Sequence, residues 1–240
     1  MYVVSKFVMG KVPVFTVLFL RYLISGIVLF VILVKRNPSK INRQDYKCVF
    51  YVGFLGYFLS TGAQLLGTKL SSASLGSLVN SLNPITITVF SAIILKEKLT
   101  LKRAICIILA LTGVCIIIGD VNGSTKIMGI AFSVLSVVLW SFVSIIVRQI
   151  TQKYSSFQIT VYGIIIAIVF TLPVSVYELL IVQNVQFDLK VALSLVYIGL
   201  VCTALAHVLW NKSLSMVEAG TCSMFYPIQP LVAALFGWIF

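Results

Sequence analysis

Eight long apolar stretches dominate this chain and leave it few ways to fold. They run approximately over 13–34, 46–67, 72–95, 101–119, 127–148, 157–181, 190–210 and 216–240. Each is close to the ~20 residues an α-helix needs to cross ~30 Å of hydrocarbon. Period-two alternation is absent, and the runs are too long for barrel strands. Helices remain, because a helix satisfies its own backbone hydrogen bonds inside lipid. The connections are short, with Asn37-Pro38 and Asn122-Gly123 as turn signals. The expected fold class is therefore all-α, a polytopic membrane helix bundle. Composition agrees: 60% of residues are hydrophobic and 10% charged, against roughly 45–50% and 25% in soluble domains. That excludes a soluble enzyme and a disordered or fibrous chain.

The net charge of +12 would suggest nucleic acid in a soluble protein. Here the basic residues sit in short connections between apolar runs. Lys35, Arg36, Lys40, Arg43 and Lys47 follow the first run, and Lys96, Lys98, Lys102 and Arg103 follow the third. Arg148 and Lys153 follow the fifth, and Lys212 follows the seventh. These alternate connections hold twelve basic residues, whereas the opposite side has five: Lys6, Lys11, Lys69, Lys126 and Lys190. The bias places the first set in the cytoplasm, with the 120–126 connection outside. The five cysteines (Cys48, Cys106, Cys115, Cys202 and Cys222) lie in apolar runs without a C-x-x-C pair, which reads as packing. No signal peptide is visible. Residues 1–6 read like the last turn of a helix, and residue 240 falls inside an apolar run.

An offset of 143 residues brings 45–97 onto 188–240 without a gap. Ten positions are identical: Asp45/Asp188, Lys47/Lys190, Gly56/Gly199, Ala63/Ala206, Leu66/Leu209, Lys69/Lys212, Ser72/Ser215, Pro84/Pro227, Ile85/Ile228 and Val89/Val232. The second run matches the seventh and the third matches the eighth, so one unit holds five helices. An odd number per unit inverts the second unit relative to the first. The charges agree, since Lys47 lies on the cytoplasmic side and Lys190 outside. Such inverted repeats are common in secondary transporters, with the substrate site near the midplane between them. A full protein would hold ten helices, of which eight are visible here. The units are 1–119, lacking its first helix, and 120–240, lacking its last.

Leu95 to Arg103 (LKEKLTLKR), followed by Leu109 to Val114 (LALTGV), resembles the EamA family of the drug/metabolite transporter superfamily. Leu139-Trp140 through Arg148 is similar to the first helix of a second repeat in that family. Asn83-Pro84 and Tyr226-Pro227 match the proline of the fourth helix in each half. The resemblance covers essentially the whole chain. It implies ten helices, cytoplasmic termini, and export or uptake of small metabolites.

Polar groups within spans are costly and mark function. Arg21 is either an outer-end residue that snorkels or pairs with a carbonyl, or an anion contact in a cavity. Gln64 and His207, the only histidine, are mates at the 143 offset. His207 alone would read as a hydrogen-bonded core residue, and its pairing with Gln64 makes a cavity role an equal reading. Asn80, Asn83 and Pro84 share one helix, and Tyr226, Pro227, Gln229 and Pro230 share its mate. Proline removes a backbone donor and frees a carbonyl, which is tolerated where neighbours or cavity water satisfy it. Trp140 and Ser141 read equally as lining or as packing. Gly53, Gly56, Gly62, Gly67 and Gly76 read as close-packing sites. Glu97 reads as an interfacial partner of nearby Lys and Arg.

Glu178 and Glu218 lie near helix ends, so no carboxylate sits mid-span. Walker, H-E-x-x-H and metal-cluster patterns are absent from the sequence. The reading is a secondary transporter of small organic metabolites in the cell membrane, working by alternating access. The candidate substrate-binding residues are Arg21, Gln64, Asn80, Asn83, Trp140, His207, Tyr226 and Gln229. Of these, Gln64, Asn83, His207 and Tyr226 are expected to face one central cavity. Expected partners are a small-molecule substrate and the lipid bilayer, with no nucleic acid, no metal and no cofactor. A homodimer is left open. The rival reading is a non-transporting membrane scaffold or an intramembrane enzyme.

Overall fold

The computed structural model describes residues 1–96, 105, 108, 109, 112, 123–182, 185–226 and 228. Most of the expected span 101–119 lies outside the described residues, as do 229–240, Glu97, Cys106, Cys115, Pro227, Gln229 and Pro230. The described elements are helices throughout. Six are long and apolar enough to cross a membrane: α2 (Val14–Lys35), α3 (Arg43–Leu70), α4 (Ala73–Leu95), α5 (Ser124–Ile150), α6 (Ser156–Ile181) and α7 (Leu189–Met216). They coincide with six of the eight apolar stretches. Short helices α1 (Tyr2–Met9) and α8 (Ala219–Ser223) complete the set. Asn37 turns the chain with φ 44° and Gly123 with φ 108°, at the two turn signals.

The bundle is lined with small and polar groups and faced with large apolar ones. Ile27 is 59% exposed and Leu180 79%, while Ser60, Thr61, Ser133, Ser136 and Ser141 are buried. Lipid solvates the apolar exterior, so close helix contact depends on packing and on hydrogen bonds between helices. The α3–α5 seam shows both. A Cβ on Gly67 would fall 2.3 Å from Ser133 Oγ and 2.8 Å from the Gly129 carbonyl. Ser60 Oγ donates to the Ser136 carbonyl at 2.9 Å.

Helix α2 packs most extensively on α6, and α3 on α5. The α2–α6 pair is antiparallel. Thr16 meets Glu178 and Ser175 at one end, Gly26 meets Ile164 and Ile168 midway, and Ser39 beyond α2 meets Gln158. Glu178 accepts from Thr16 N–H at 2.9 Å and so caps the start of α2. Asn211 on α7 ties three helices, donating to Tyr57 OH on α3 at 2.7 Å and to Thr160 Oγ1 on α6 at 2.8 Å.

A short π-helical stretch closes α4 at Ser91–Leu95, and two helices carry wide π-helical turns within their length, at Val52–Ser60 in α3 and Leu200–Leu205 in α7. In each, a threonine hydroxyl reaches a carbonyl five residues back: Thr61 to Gly56 and Thr203 to Ile198. Such turns concentrate at functional positions.

Candidate functional site

The wide turns border a cavity of about 830 Å³, within the range of small-molecule sites. It is lined by Tyr2 on α1, Arg21 on α2, Ser60, Thr61 and Gln64 on α3, and Asn80 on α4. Ser136 and Trp140 on α5 add to it, as do Tyr197, Cys202, His207 and Trp210 on α7 and Tyr226 beyond α8. Six of the eight sequence candidates therefore meet here: Arg21, Gln64, Asn80, Trp140, His207 and Tyr226.

Asn83 differs from its expectation. It is fully buried and does not line the cavity. The cause is Pro84. Proline cannot donate to the carbonyl four residues back, which belongs to Asn80. The Asn83 amide supplies that hydrogen bond instead, donating to the Asn80 carbonyl at 2.8 Å and to Asn80 Oδ1 at 2.7 Å. The α-helical stretches of α4 accordingly stop at Asn80 and resume at Asn83. Asn83 thus repairs the break and positions Asn80, which faces the cavity. Gln229 lies outside the described residues.

Arg21 is 0% exposed and does not snorkel. Its Nε donates to Thr203 Oγ1 at 2.8 Å. Its Nη1 and Nη2 have no hydrogen-bond partner among the described residues, and neither has His207 Nε2. His207 lies one helical turn after Thr203, the residue that Arg21 holds. Rings continue from there. His207 stands edge-on to Tyr57 at 4.7 Å and to Trp140 at 5.6 Å, and Trp210 meets Tyr226 at 5.0 Å. Trp140 Nε1 donates to Tyr226 OH. On the far wall Gln64 Nε2 donates to Tyr2 OH at 2.9 Å. Among the described residues lining the cavity, Arg21 is the only one with a charged side chain.

Sequence reasoning missed Ser60, Thr61, Thr203, Tyr57 and Asn211. A signal was present for three of them. Ser60 and Thr61 lie one turn before Gln64, Thr203 lies one turn before His207, and Ser60 and Thr203 are themselves 143 apart. Tyr57 and Asn211 carried none, since their contact joins distant helices.

Among the described residues two ion pairs tie distant parts of the chain together near helix ends. Lys11 Nζ meets Asp188 Oδ2 at 2.6 Å, and Lys153 Nζ meets Asp45 Oδ1 at 3.3 Å. Tyr154 OH also donates to Asp45, at 2.9 Å. Asp188 accepts from Val191 N–H as well, capping α7. Lys11 and this backbone amide hold the Asp188 carboxyl below the usual carboxylate range.

Comparison with known proteins agrees with this picture. The EamA-like transporter family matches residues 1–119 and 127–240. A Bacillus subtilis protein named uncharacterized transporter YetK is 25% identical, covering 97% of this chain and 73% of its own length. An uncharacterized transporter of Archaeoglobus fulgidus is 27% identical, covering 91% and 76%. An S-adenosylmethionine/S-adenosylhomocysteine transporter of Chlamydia muridarum is 26% identical, covering 91% and 73%. One solved crystal structure shares the fold, with a TM-score of 0.76 at 19% identity over 97% of this chain and 80% of that one. The family and these relatives are named as transporters rather than enzymes. With its membrane-length apolar helices around one internal cavity, this chain is a multi-pass protein of the cell membrane and belongs to the EamA-like transporter family.

Proposed function

We propose that the protein is a secondary transporter moving small organic solutes by alternating access between two inverted halves, residues 1–119 and 120–240. Each half belongs to one five-helix unit of a ten-helix whole. The observation that carries this is a pair of ion pairs between the two halves. Their acids, Asp45 and Asp188, are 143 residues apart, and Lys11 and Lys153 are 142 apart. Each pair joins one half to the other. By the loop charges, Lys11–Asp188 lies outside and Lys153–Asp45 lies in the cytoplasm.

Further contacts support the same relation. The offset maps α1 onto the end of α5, α2 onto α6 and α3 onto α7. Packing of α2 against α6 thus brings mates together, and the α3–α5 contact has its counterpart in α1–α7. Lys6 Nζ donates to the carbonyls of Thr68, Lys69 and Ser71 at the end of α3. Arg148 does the same to Leu214 near the end of α7, and Leu214 is 143 beyond Ser71. A cavity between halves that latch at opposite faces is what a rocking mechanism needs. Both compounds in the name of the Chlamydia relative are small organic metabolites, in keeping with that solute class.

The test uses Cys202, which lines the cavity. The other cysteines are replaced, and a membrane-impermeant maleimide is applied from either side. Lys11→Glu sets two carboxylates against each other outside, and labelling of Cys202 from outside should rise. Lys153→Glu should raise labelling from the cytoplasmic side. If neither variant changes labelling, or both favour one side, the alternating-access reading fails.

A further inference from the structure

One stretch of surface holds charge that the chain itself does not answer. From the last residue of α2 to the first turns of α3 stand Lys35, Arg36, Lys40, Arg43 and Lys47, all exposed, with Asp45 as the single acid. Asp45 is already taken by Lys153 and Tyr154. None of the five basic groups pairs with a carboxylate among the described residues.

This connection is a strap pinned across the start of α6. Asn37 turns the chain with φ 44°. Buried Gln158 on α6 donates through Nε2 to the Ser39 carbonyl at 2.6 Å, and Ser39 Oγ donates to Gln158 Oε1 at 3.2 Å. Ile41 is buried as an apolar anchor. Asn42 N–H donates to Tyr154 OH at 3.1 Å, and the Arg36 guanidinium lies over the Phe157 ring at 4.7 Å. These contacts hold the strap in place while its basic groups face outward, so an anion meets them with little ordering left to do.

Two facts decide the kind of anion. The strap joins the ends of two membrane-length helices, at the face that the loop charges place in the cytoplasm, so its cations stand at headgroup depth. Exposed apolar groups flank it along the chain, Phe30, Val31 and Val34 on α2 and Tyr46 and Phe50 on α3. Acyl chains can cover these groups, whereas a soluble phosphate uses none of them. A basic cluster immediately beside a span suits anionic headgroups, and Arg36 and Arg43 offer donors that match phosphate oxygens.

We propose that the strap 35–47 is a binding site for an anionic phospholipid of the cytoplasmic leaflet, its phosphodiester held by the strap's basic side chains and its acyl chains lying against the exposed apolar ends of α2 and α3. The site is independent of what the cavity carries and of alternating access.

The experiment reconstitutes the full chain in phosphatidylcholine bilayers with a trace of spin-labelled phosphatidylglycerol or spin-labelled phosphatidylcholine. The motionally restricted fraction of each label gives their relative association. Phosphatidylglycerol should be preferred by roughly five- to twenty-fivefold, the effect of one to two basic contacts per headgroup, and salt should weaken the preference. Lys40→Gln and Arg43→Gln should each lower it by up to roughly fivefold. Lys126→Gln removes the same charge from an exposed position in another connection and should leave the preference unchanged.

Gln158→Leu and Tyr154→Phe provide the sharper test, because they loosen the strap and keep every formal charge. Each should lower the preference at least roughly twofold, which a diffuse attraction to net charge would not produce. The proposal is overturned if the wild type shows no preference, if Lys126→Gln costs as much as Lys40→Gln, or if both loosened variants keep the full preference. It is equally overturned if excess glycerol 3-phosphate in the buffer displaces the labelled lipid, since the site then belongs to soluble phosphates.

Discussion

Replacing Asn211 with leucine keeps side-chain bulk while deleting one amide that joins three helices. The amide donates to Tyr57 OH at 2.7 Å and Thr160 Oγ1 at 2.8 Å, and all three residues are buried. Hydrogen bonds between membrane helices contribute ~0.6 kcal/mol on average and up to ~1.7 kcal/mol each. Two bonds therefore bring the expected loss to about 1–3 kcal/mol. The partners fare differently. Thr160 still donates to the Ser156 carbonyl at 2.7 Å, whereas Tyr57 OH loses its amide donor. A double-mutant cycle with Tyr57→Phe isolates that bond, because phenylalanine keeps the ring against His207. The coupling energy should be about 0.6–1.7 kcal/mol, read from reversible unfolding in mixed micelles. The double variant should thus be less damaged than the two singles added together. A coupling under ~0.3 kcal/mol, the level at which independent sites add, would show that the bond does not hold α3 to α7.

Two further outcomes follow from packing and charge. Gly67→Ala should destabilise the protein by about 1–3 kcal/mol through overpacking, because its methyl would run into Ser133 and the Gly129 backbone. Gly62→Ala should stay within about 1 kcal/mol, since the nearest group is the Phe15 ring edge at 3.0 Å, and thermal unfolding in detergent compares the two. Asp188→Asn should keep the α7 cap, as asparagine caps as well as aspartate, but lose the charge pairing with Lys11. With the native carboxyl held below the usual range, that pairing is present above about pH 4 and disappears as pH falls through the depressed value. The melting-temperature gap between wild type and Asp188→Asn should therefore be largest near neutrality and close in acid. A gap that widens in acid would contradict the Lys11 pairing.

Much of the candidate site could be read from residue type and spacing, and the reason is the cost of polarity in lipid. Arg21, Gln64, Asn80, Trp140, His207 and Tyr226 stand out in apolar runs because hydrocarbon cannot satisfy them, and all six line one cavity. Asn83 stood out for the same reason but serves the backbone. Its side chain answers the carbonyl that Pro84 frees, a local need that spacing does not separate from a ligand contact. Tyr57 and Asn211 escaped notice because each reads as ordinary in its own helix. Their meaning lies in an approach between residues 154 positions apart.

Hydropathy by itself determined the class of fold and six of the spans now described, and the 143-residue offset supplied the proposed pairing of helices into mates. Segment length against bilayer thickness decides a membrane helix locally, and a repeat needs no coordinates to be seen. Only the tertiary structure decided which faces turn inward. It set Arg21 on Thr203, left three buried nitrogens of Arg21 and His207 without a hydrogen-bond partner among the described residues, and aligned Lys11 with Asp188 and Lys153 with Asp45. Such facts depend on helix rotation and crossing, which arise from close packing of small residues across seams such as Gly67–Gly129. In lipid that packing has no hydrophobic gradient to announce it in the sequence.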